Sequence, residues 1–429
     1  MVMFMPRIWP RSYRLVIALA IIALPARAAS NVVLDWNQEV INATRLSRNP
    51  PPIAALHLAT FHAAIYDTVN SFTRTHAPWL VDEAAPAGAD QNAAIAGAAH
   101  TVLEQLWGNS ANRQNFRRAY DQALAPIPDG AAKTEGIAWG KEVAGRVLAE
   151  RAKYPLPPPT GTYTSTDQGK WRETPPSFRP PVTPTLGAVK PFVLESSSQF
   201  RAPPPQPVGS EEYARELAFV NQVGPRDGAE RTEYQTLSTP FWSDDLGSAT
   251  PPGHWNIIAQ DLARRSELSV ADCARLFALI NLAGADSGIT CWETKYYYNT
   301  WRPETALREM DPTVNPAAQT NPAFIPNMPS PAFPSYTSGH STYTAAMSRM
   351  LELVLGTDDI TFTVTSDGLP GAVRTFNKLS DARREVGMSR VWGGIHVMSD
   401  NLEGQKAGIR VADYIFAHAL LPATTVAQP

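Results

Sequence analysis

Between Tyr154 and Pro207 proline recurs in PLPPPT, TPPSFRPPVTP and RAPPPQP, a density that neither a helix interior nor a central strand accepts. Trp171, Phe178, Phe192 and Phe200 are interleaved there. A floppy linker usually lacks so many aromatics, so the expectation is an ordered loop that wraps the surface. On either side of it, apolar residues recur at helical spacing. Before it lie Ile53 to Val69, Asn92 to Leu106, Asn112 to Ala125 and Ala131 to Ala152. After it come Ser210 to Val223, Ala229 to Leu237, Trp255 to Arg264 and a long stretch from Val270 towards Tyr297. Ser338 to Leu355, Leu379 to Val391 and Asp400 to Leu420 finish the chain. Pro251-Pro252-Gly253 reads as a break before one helix, and Asn315 to Pro334 as a loop. Thr361 to Thr365 and Val373 to Phe376 flank Gly368-Leu-Pro-Gly371, which predicts one short β-hairpin. The expected fold is all-α, two packed helical bundles with that single hairpin.

Composition narrows the function classes. The chain is 44% hydrophobic and 18% charged, ordinary for a globular protein. Its formal charge is −3 and no Lys/Arg block stands out, which argues against a nucleic-acid surface. An anion site here must therefore be built from a few placed cations. At the N-terminus Arg7, Arg11 and Arg14 precede an apolar run from Leu15 to Leu24, and Ala26-Arg27-Ala28 supplies a small-x-small cleavage pattern. Residues 1–28 read as a signal peptide, whose removal takes the charge from −3 to −7. The run is short of the roughly 20 residues a membrane span requires. The expectation is an exported protein, periplasmic or secreted, with no stable membrane anchor after cleavage. The two cysteines, Cys273 and Cys291, fall on one predicted helix. Eighteen steps of about 1.5 Å set them roughly 27 Å apart, whereas a disulfide needs Cα atoms within about 7 Å. Two free, buried thiols are expected.

The chemistry-bearing residues lie in the C-terminal third. Lys295 and Arg302 are seven apart in KYYYNTWRP, two helical turns, so both cations can share one face. Pro334-Ser335-Tyr-Thr-Ser338-Gly339-His340 opens a predicted helix, and helix starts offer unpaired N–H groups and a positive dipole end to an oxyanion. Ser338 supplies a hydroxyl, Gly339 lets the backbone come close, and His340 suits proton transfer near neutral pH. In Ser389-Arg390-Val-Trp-Gly-Gly-Ile-His396-Val-Met-Ser-Asp400, Arg390 brings a planar donor fork. Asp400, four residues after His396, is placed to fix its tautomer and raise the basicity of the free nitrogen.

Taken together, Lys-x6-Arg-Pro, Pro-Ser-x2-Ser-Gly-His and Ser-Arg-x5-His-x3-Asp resemble the signature of the vanadium-dependent haloperoxidase and type 2 phosphatidic acid phosphatase superfamily. Trp292 and Phe333 resemble the active-site aromatics of its chloroperoxidase-like branch. LHLATFHAAIYDTVNS and FWSDDLGSATPPGHW look like segments of the large soluble bacterial members, so the likeness covers nearly the whole mature chain. The resemblance implies one vanadate per chain, held by Lys295, Arg302, Arg390, Ser338 and Gly339 and bonded through a ring nitrogen of His396. His340 would be the acid–base residue, Lys295 a further catalytic group, and Trp292 with Phe333 a halide pocket. Hydrogen peroxide, halide and a small organic acceptor would be the partners, and homo-oligomerisation stays open. Phe333 is compatible with chloride chemistry without demanding it. The phosphatase alternative needs no vanadate: His396 would attack phosphorus and His340 would protonate the leaving alkoxide.

The implied organisation is a signal peptide, 1–28, followed by one helical domain, 29–429. Its N-terminal half is 29–208 with the proline-rich loop, and 209–429 carries the oxyanion site. His57 and His62, on an apolar helix, read as core residues satisfied by hydrogen bonds. His76, His100, His254 and His418 show no metal-ligand spacing. Asp244 or Asp245 is a candidate to steady His340 or an arginine, whereas Glu293, Glu304 and Glu403 read as surface or structural.

Overall fold

The computed structural model describes residues 31–108 and 110–423, and the expected signal peptide, 1–28, lies outside them. Helices α1 (Val32–Ser47), α2 (Pro51–Thr73), α3 (Gln91–Trp107), α4 (Ser110–Leu124) and α5 (Ala131–Ala152) come first. The proline-rich stretch follows with a single 3-10 turn, Leu186–Ala188. Then come α6 (Glu211–Val223), α7 (Glu233–Phe241), α8 (Thr250–Arg265), α9 (Val270–Tyr298) and α10 (Pro303–Glu309). Helix α11 (Gly339–Leu355) leads into the antiparallel hairpin β1 (Phe362–Thr365) and β2 (Val373–Phe376), where Phe362 faces Phe376. Helices α12 (Leu379–Trp392) and α13 (Met398–His418) close the fold. The all-α architecture with one hairpin is the expected one, and among the described residues no helix is long and apolar enough to cross a membrane.

Helix α9 organises the molecule. Ser269 caps its start by accepting from the Asp272 amide, and almost every residue from Cys273 to Cys291 is buried. It packs against α2 on one side and against α11 and α13 on another. One apolar core therefore runs from Leu58 and Phe61 of α2 through Leu276 and Phe277 of α9 to Met347 of α11 and Ile415 of α13. A second core lies under α6, α10 and α12, with Leu217, Trp301, Leu307 and Val391. Cys273 and Cys291 sit on this unbroken helix as free, buried thiols.

The proline-rich stretch is ordered, for a reason the composition hid. Asp286, fully buried on α9, accepts backbone N–H groups from Phe192 (2.6 Å), Val193 (2.8 Å) and Leu194 (3.0 Å). Trp171 is wholly buried in the same wrap. A carboxylate that replaces three lost ladder bonds holds a segment that cannot form them itself.

Several expectations need correction. Helix α1 went unpredicted because its buried face includes Asn37 and Thr44, which interrupt the apolar spacing. Pro251 and Pro252 do not precede α8 but occupy its first turn, where a missing N–H costs nothing. Lys295 and Arg302 do not share a helix face. Helix α9 ends at Asn299 in a left-handed conformation (φ 53°), and Arg302 is the extended residue that precedes Pro303 of α10. His57 and His62 are core residues, but Nδ1 of His57 and both ring nitrogens of His62 lack a hydrogen-bond partner. They pack on rings instead: His57 edge-on to Trp107 at 5.1 Å, His62 stacked on Phe277 at 5.2 Å. Burial holds the His57 imidazole down at about 4 and that of His62 at about 3, so both stay neutral.

Helices α11 and α13 approach closely at two glycines. A Cβ at Gly404 would lie 2.9 Å from the Ser338 carbonyl, and one at Gly408 would overlap the Thr342 carbonyl. This contact sets α13 against the first turn of α11. Gly408→Ala is expected to cost about 1–3 kcal/mol of stability through overpacking, as a lowered midpoint in chemical denaturation. A midpoint equal to that of the parent would show that the two helices part without cost.

Candidate active site

Four chain segments meet at one buried point. Lys295 projects from the last turn of α9, and its ammonium donates to the carbonyls of Pro334 (2.7 Å) and Ser335 (2.9 Å). Arg302 donates through Nε to the Phe333 carbonyl (2.9 Å) and through one terminal nitrogen to the Ile395 carbonyl (3.0 Å). Arg390, in the last turn of α12, donates to the Trp242 carbonyl (3.2 Å). All three are buried, and none pairs with a carboxylate among the described residues. Arg374, also buried, shows the usual solution by pairing with Glu385. Arg302 keeps a second terminal nitrogen, and Arg390 its Nε, with no partner. Buried N–H groups are rarely left unmatched. Here they converge on the place where a ligand would sit.

His396 faces this cluster. Its Nδ1 lies 2.8 Å from Oδ2 of Asp400, while Nε2 lies 3.2 Å from the Arg302 guanidinium. Arginine only donates, so Nε2 carries the lone pair and Nδ1 the proton. Burial, reinforced by Arg302, Lys295 and Arg390, holds the His396 imidazole well below its ordinary range. The four-residue spacing brings Asp400 onto Nδ1, although His396 lies just before α13 rather than on it.

Ser338 is the N-cap of α11, and its oxygen accepts from the Ser341 amide (3.3 Å) and the Ser341 hydroxyl (2.8 Å). The Gly339 and His340 amides occupy the first turn, where a helix provides no carbonyl ahead of them. His340 Nε2 sits 3.1 Å from the Ser243 carbonyl, and burial with Arg390 keeps this ring neutral too. The Trp292 and Phe333 rings lie 5.0 Å apart with their planes tilted by 54°, and the Lys295 ammonium is 4.9 Å from the Phe333 ring centre. They form the apolar wall beside the cations. A pocket of about 370 Å³, lined by Arg390, Asp245, Arg48 and Arg179 among others, leads to solvent.

Two residues in this machinery escaped the sequence reading. The Ser335 hydroxyl donates to Asp400 Oδ2 at 2.5 Å, sharing the carboxylate with His396. It stood inside the Pro-Ser-x2-Ser-Gly-His motif, but nothing in the spacing pointed it at Asp400. His254 binds Asp244 through Nδ1 at 3.0 Å. Asp244 therefore does not reach His340. Asp244 and Asp245 act on Arg390 through their charge alone. Glu293 pairs with Arg201 and Glu304 with Arg308, structural roles as expected.

Burial, with Arg302 nearby, lowers the Lys295 ammonium to about 7; the same burial lowers Arg302 to about 9 and Arg390 to about 10. Burial raises the Asp400 carboxyl. The donor set suits no bare divalent cation, because three positive groups surround one imidazole lone pair. It suits a compact, multiply charged oxyanion.

Residues 275–423 match the family model described as the VCPO second helical-bundle domain. A vanadium chloroperoxidase from Curvularia inaequalis is 27% identical over 412 residues, covering 76% of this chain and 66% of the relative. The chain thus spans just under two thirds of that relative's length. The crystal structure of the first bacterial vanadium-dependent iodoperoxidase superposes with a TM-score of 0.79 at 24% identity, covering 94% of this chain and 99% of the other. A holo-type bacterial vanadium-dependent chloroperoxidase superposes with a TM-score of 0.69 at 16% identity, covering 91% and 98%. These structural likenesses establish the fold.

The depressed Lys295 gives a test of the cavity's charge. A bound dianion draws a proton onto Lys295, so binding takes up a proton above pH 7 and affinity falls as pH rises. Sulfate, which does not titrate in this range, should bind up to about tenfold more weakly per unit from pH 7 to 9. Calorimetric titration reads this directly, and a flat profile would mean that Lys295 is charged throughout.

Proposed function

We propose that this chain, whose second helical bundle matches the VCPO family and whose fold is that of the vanadium haloperoxidases, is a vanadate-dependent peroxidase that oxidises halide to hypohalous acid. One observation carries the reading: three buried cations, none ion-paired to a carboxylate among the described residues, face an imidazole lone pair. Such a cluster is costly unless an oxyanion completes it. In this reading Lys295, Arg302 and Arg390 balance the oxyanion's charge, and Ser338 with the Gly339 amide donate to its oxygens. His396 offers Nε2 as the one protein bond to the metal, held in that tautomer by Asp400.

Vanadate, when bound, supplies a Lewis-acidic centre for peroxide activation without changing oxidation state. The chain does the rest. His340, neutral in its buried setting, accepts a proton from hydrogen peroxide as it enters. The Lys295 ammonium stabilises the negative charge that develops on the peroxide oxygen. Trp292 and Phe333 exclude water from the oxygen that the halide attacks. Hydrogen peroxide, halide and one proton become hypohalous acid and water, the halide losing two electrons and the peroxide gaining them. A small organic molecule then accepts the halogen. The phosphatase reading uses the same cations, but the chloroperoxidase and iodoperoxidase relatives do not favour it. Residues 1–28 support an exported enzyme.

The expected outcome is halogenation of a phenolic dye that requires peroxide, halide and added vanadate. His396→Ala should abolish it. His340→Ala should retain sulfate binding while turnover falls by about 10²–10⁴-fold. Aryl phosphate hydrolysis that vanadate inhibits, without halogenation, would replace this reading with the phosphatase one.

A further inference from the structure

A second pocket, of about 220 Å³, is lined by Asp400 and Ser335, the residues that meet the Nδ1 edge of His396. It shares no lining residue with the arginine-lined pocket that leads to Arg390. The two edges of the imidazole face different groups: Nε2 lies against Arg302 and Nδ1 against Asp400, which lines this second pocket.

Two buried polar groups at this pocket are incompletely used. Oδ2 of Asp400 accepts from both His396 and Ser335, whereas Oδ1 has no hydrogen-bond partner among the described residues. Asp400 is only 2% exposed. The hydroxyl of Tyr213, a residue 8% exposed, accepts from Trp301 Nε1 at 2.7 Å and has no acceptor for its own proton among the described residues. A carboxylate oxygen that takes no donor, and a hydroxyl proton without an acceptor, leave hydrogen-bonding capacity at the pocket. They do not bond to each other. A hydroxyl group between them would satisfy both, donating to Asp400 and accepting from Tyr213.

The rest of the pocket describes what carries that hydroxyl. Trp301, Tyr336 and Val397 line it and favour a flat apolar body. Lys170 lies on the lining, exposed, its ammonium donating to the Tyr298 carbonyl at 3.1 Å and pairing with no carboxylate among the described residues. Apart from Asp400, no acidic side chain among the described residues lines the pocket.

We propose that this pocket binds a small phenol, ring inward and hydroxyl on Asp400 Oδ1, with preference for one that bears a carboxylate towards Lys170. The site is distinct from the oxyanion cavity and does not depend on which oxyanion or reaction that cavity serves. An occupant shares the carboxylate that orients His396, so it touches the rear of the imidazole while leaving the front free.

The test is calorimetric titration of the full chain, without vanadate, with 4-hydroxybenzoate, phenol and benzoate. We expect saturable binding of 4-hydroxybenzoate at one site per chain. Benzoate, lacking the hydroxyl, should bind about tenfold or more weakly. Lys170→Glu should weaken 4-hydroxybenzoate at least about fivefold while leaving phenol within about twofold. Val208→Trp should fill the pocket and remove binding of both, with circular dichroism reporting its fold. Absence of saturable binding would overturn the proposal. So would benzoate binding equal to that of 4-hydroxybenzoate, or 4-hydroxybenzoate affinity unchanged by Lys170→Glu, and each reads out even if Val208→Trp fails to fold.

Discussion

Positive charge buried without a counter-ion is the constraint on which the structure turns. Lys295, Arg302 and Arg390 are brought together with almost no exposed surface, at a cost of several kcal/mol per ion. Carboxylates would relieve that cost but would also fill the cavity's electrostatic role. Backbone carbonyls take their place, from Pro334 and Ser335 for Lys295, Phe333 and Ile395 for Arg302, and Trp242 for Arg390. A carbonyl dipole partly solvates a cation without cancelling its charge. The field is therefore preserved for an incoming anion, and the lowered proton affinities of all three groups are its signature.

Asp400 is the exception that fits this logic. It is the carboxylate hydrogen-bonded within the site, and it lies behind the imidazole rather than among the cations. From there it fixes the proton on Nδ1 and leaves Nε2 open. Ser335 steadies the same oxygen. The contact of Gly404 and Gly408 with α11 holds Asp400 and Ser338 in register, since the Ser338 amide also donates to the Asp400 carbonyl at 2.9 Å. Close helix packing and site geometry are thus one feature.

Much of this was legible in the sequence, and the exceptions have physical reasons. Helical periodicity located α2, α3, α5, α6, α9, α11 and α12 because each buries a largely apolar face. It lost α1, where Asn37 and Thr44 sit inside. The motif residues do converge, yet the local argument for Lys295 and Arg302 failed. A seven-residue spacing looks the same whether the helix continues or, as here, stops at Asn299. Asp286 and Ser335 were invisible because their partners lie 92 to 94 and 65 residues away in sequence. Hydrogen bonds across such distances leave no periodic trace. The unpaired state of the cations was equally hidden, because a sequence names charges without saying which of them meet.

The segment from Phe333 to His340 bears more of the site than any other. It supplies an aromatic wall, carbonyls for two cations, the hydroxyl on Asp400, the cap of α11 and the second imidazole. Its side chains and backbone groups are committed in several directions at once, so a change at one position disturbs several partners. The arginine-lined mouth is different. Arg48, Arg179 and Asp245 have no hydrogen bond to the inner cluster. Variation at Arg48 or Arg179 can alter what enters while leaving the inner hydrogen bonds intact, whereas Asp245 also acts on Arg390 through its charge.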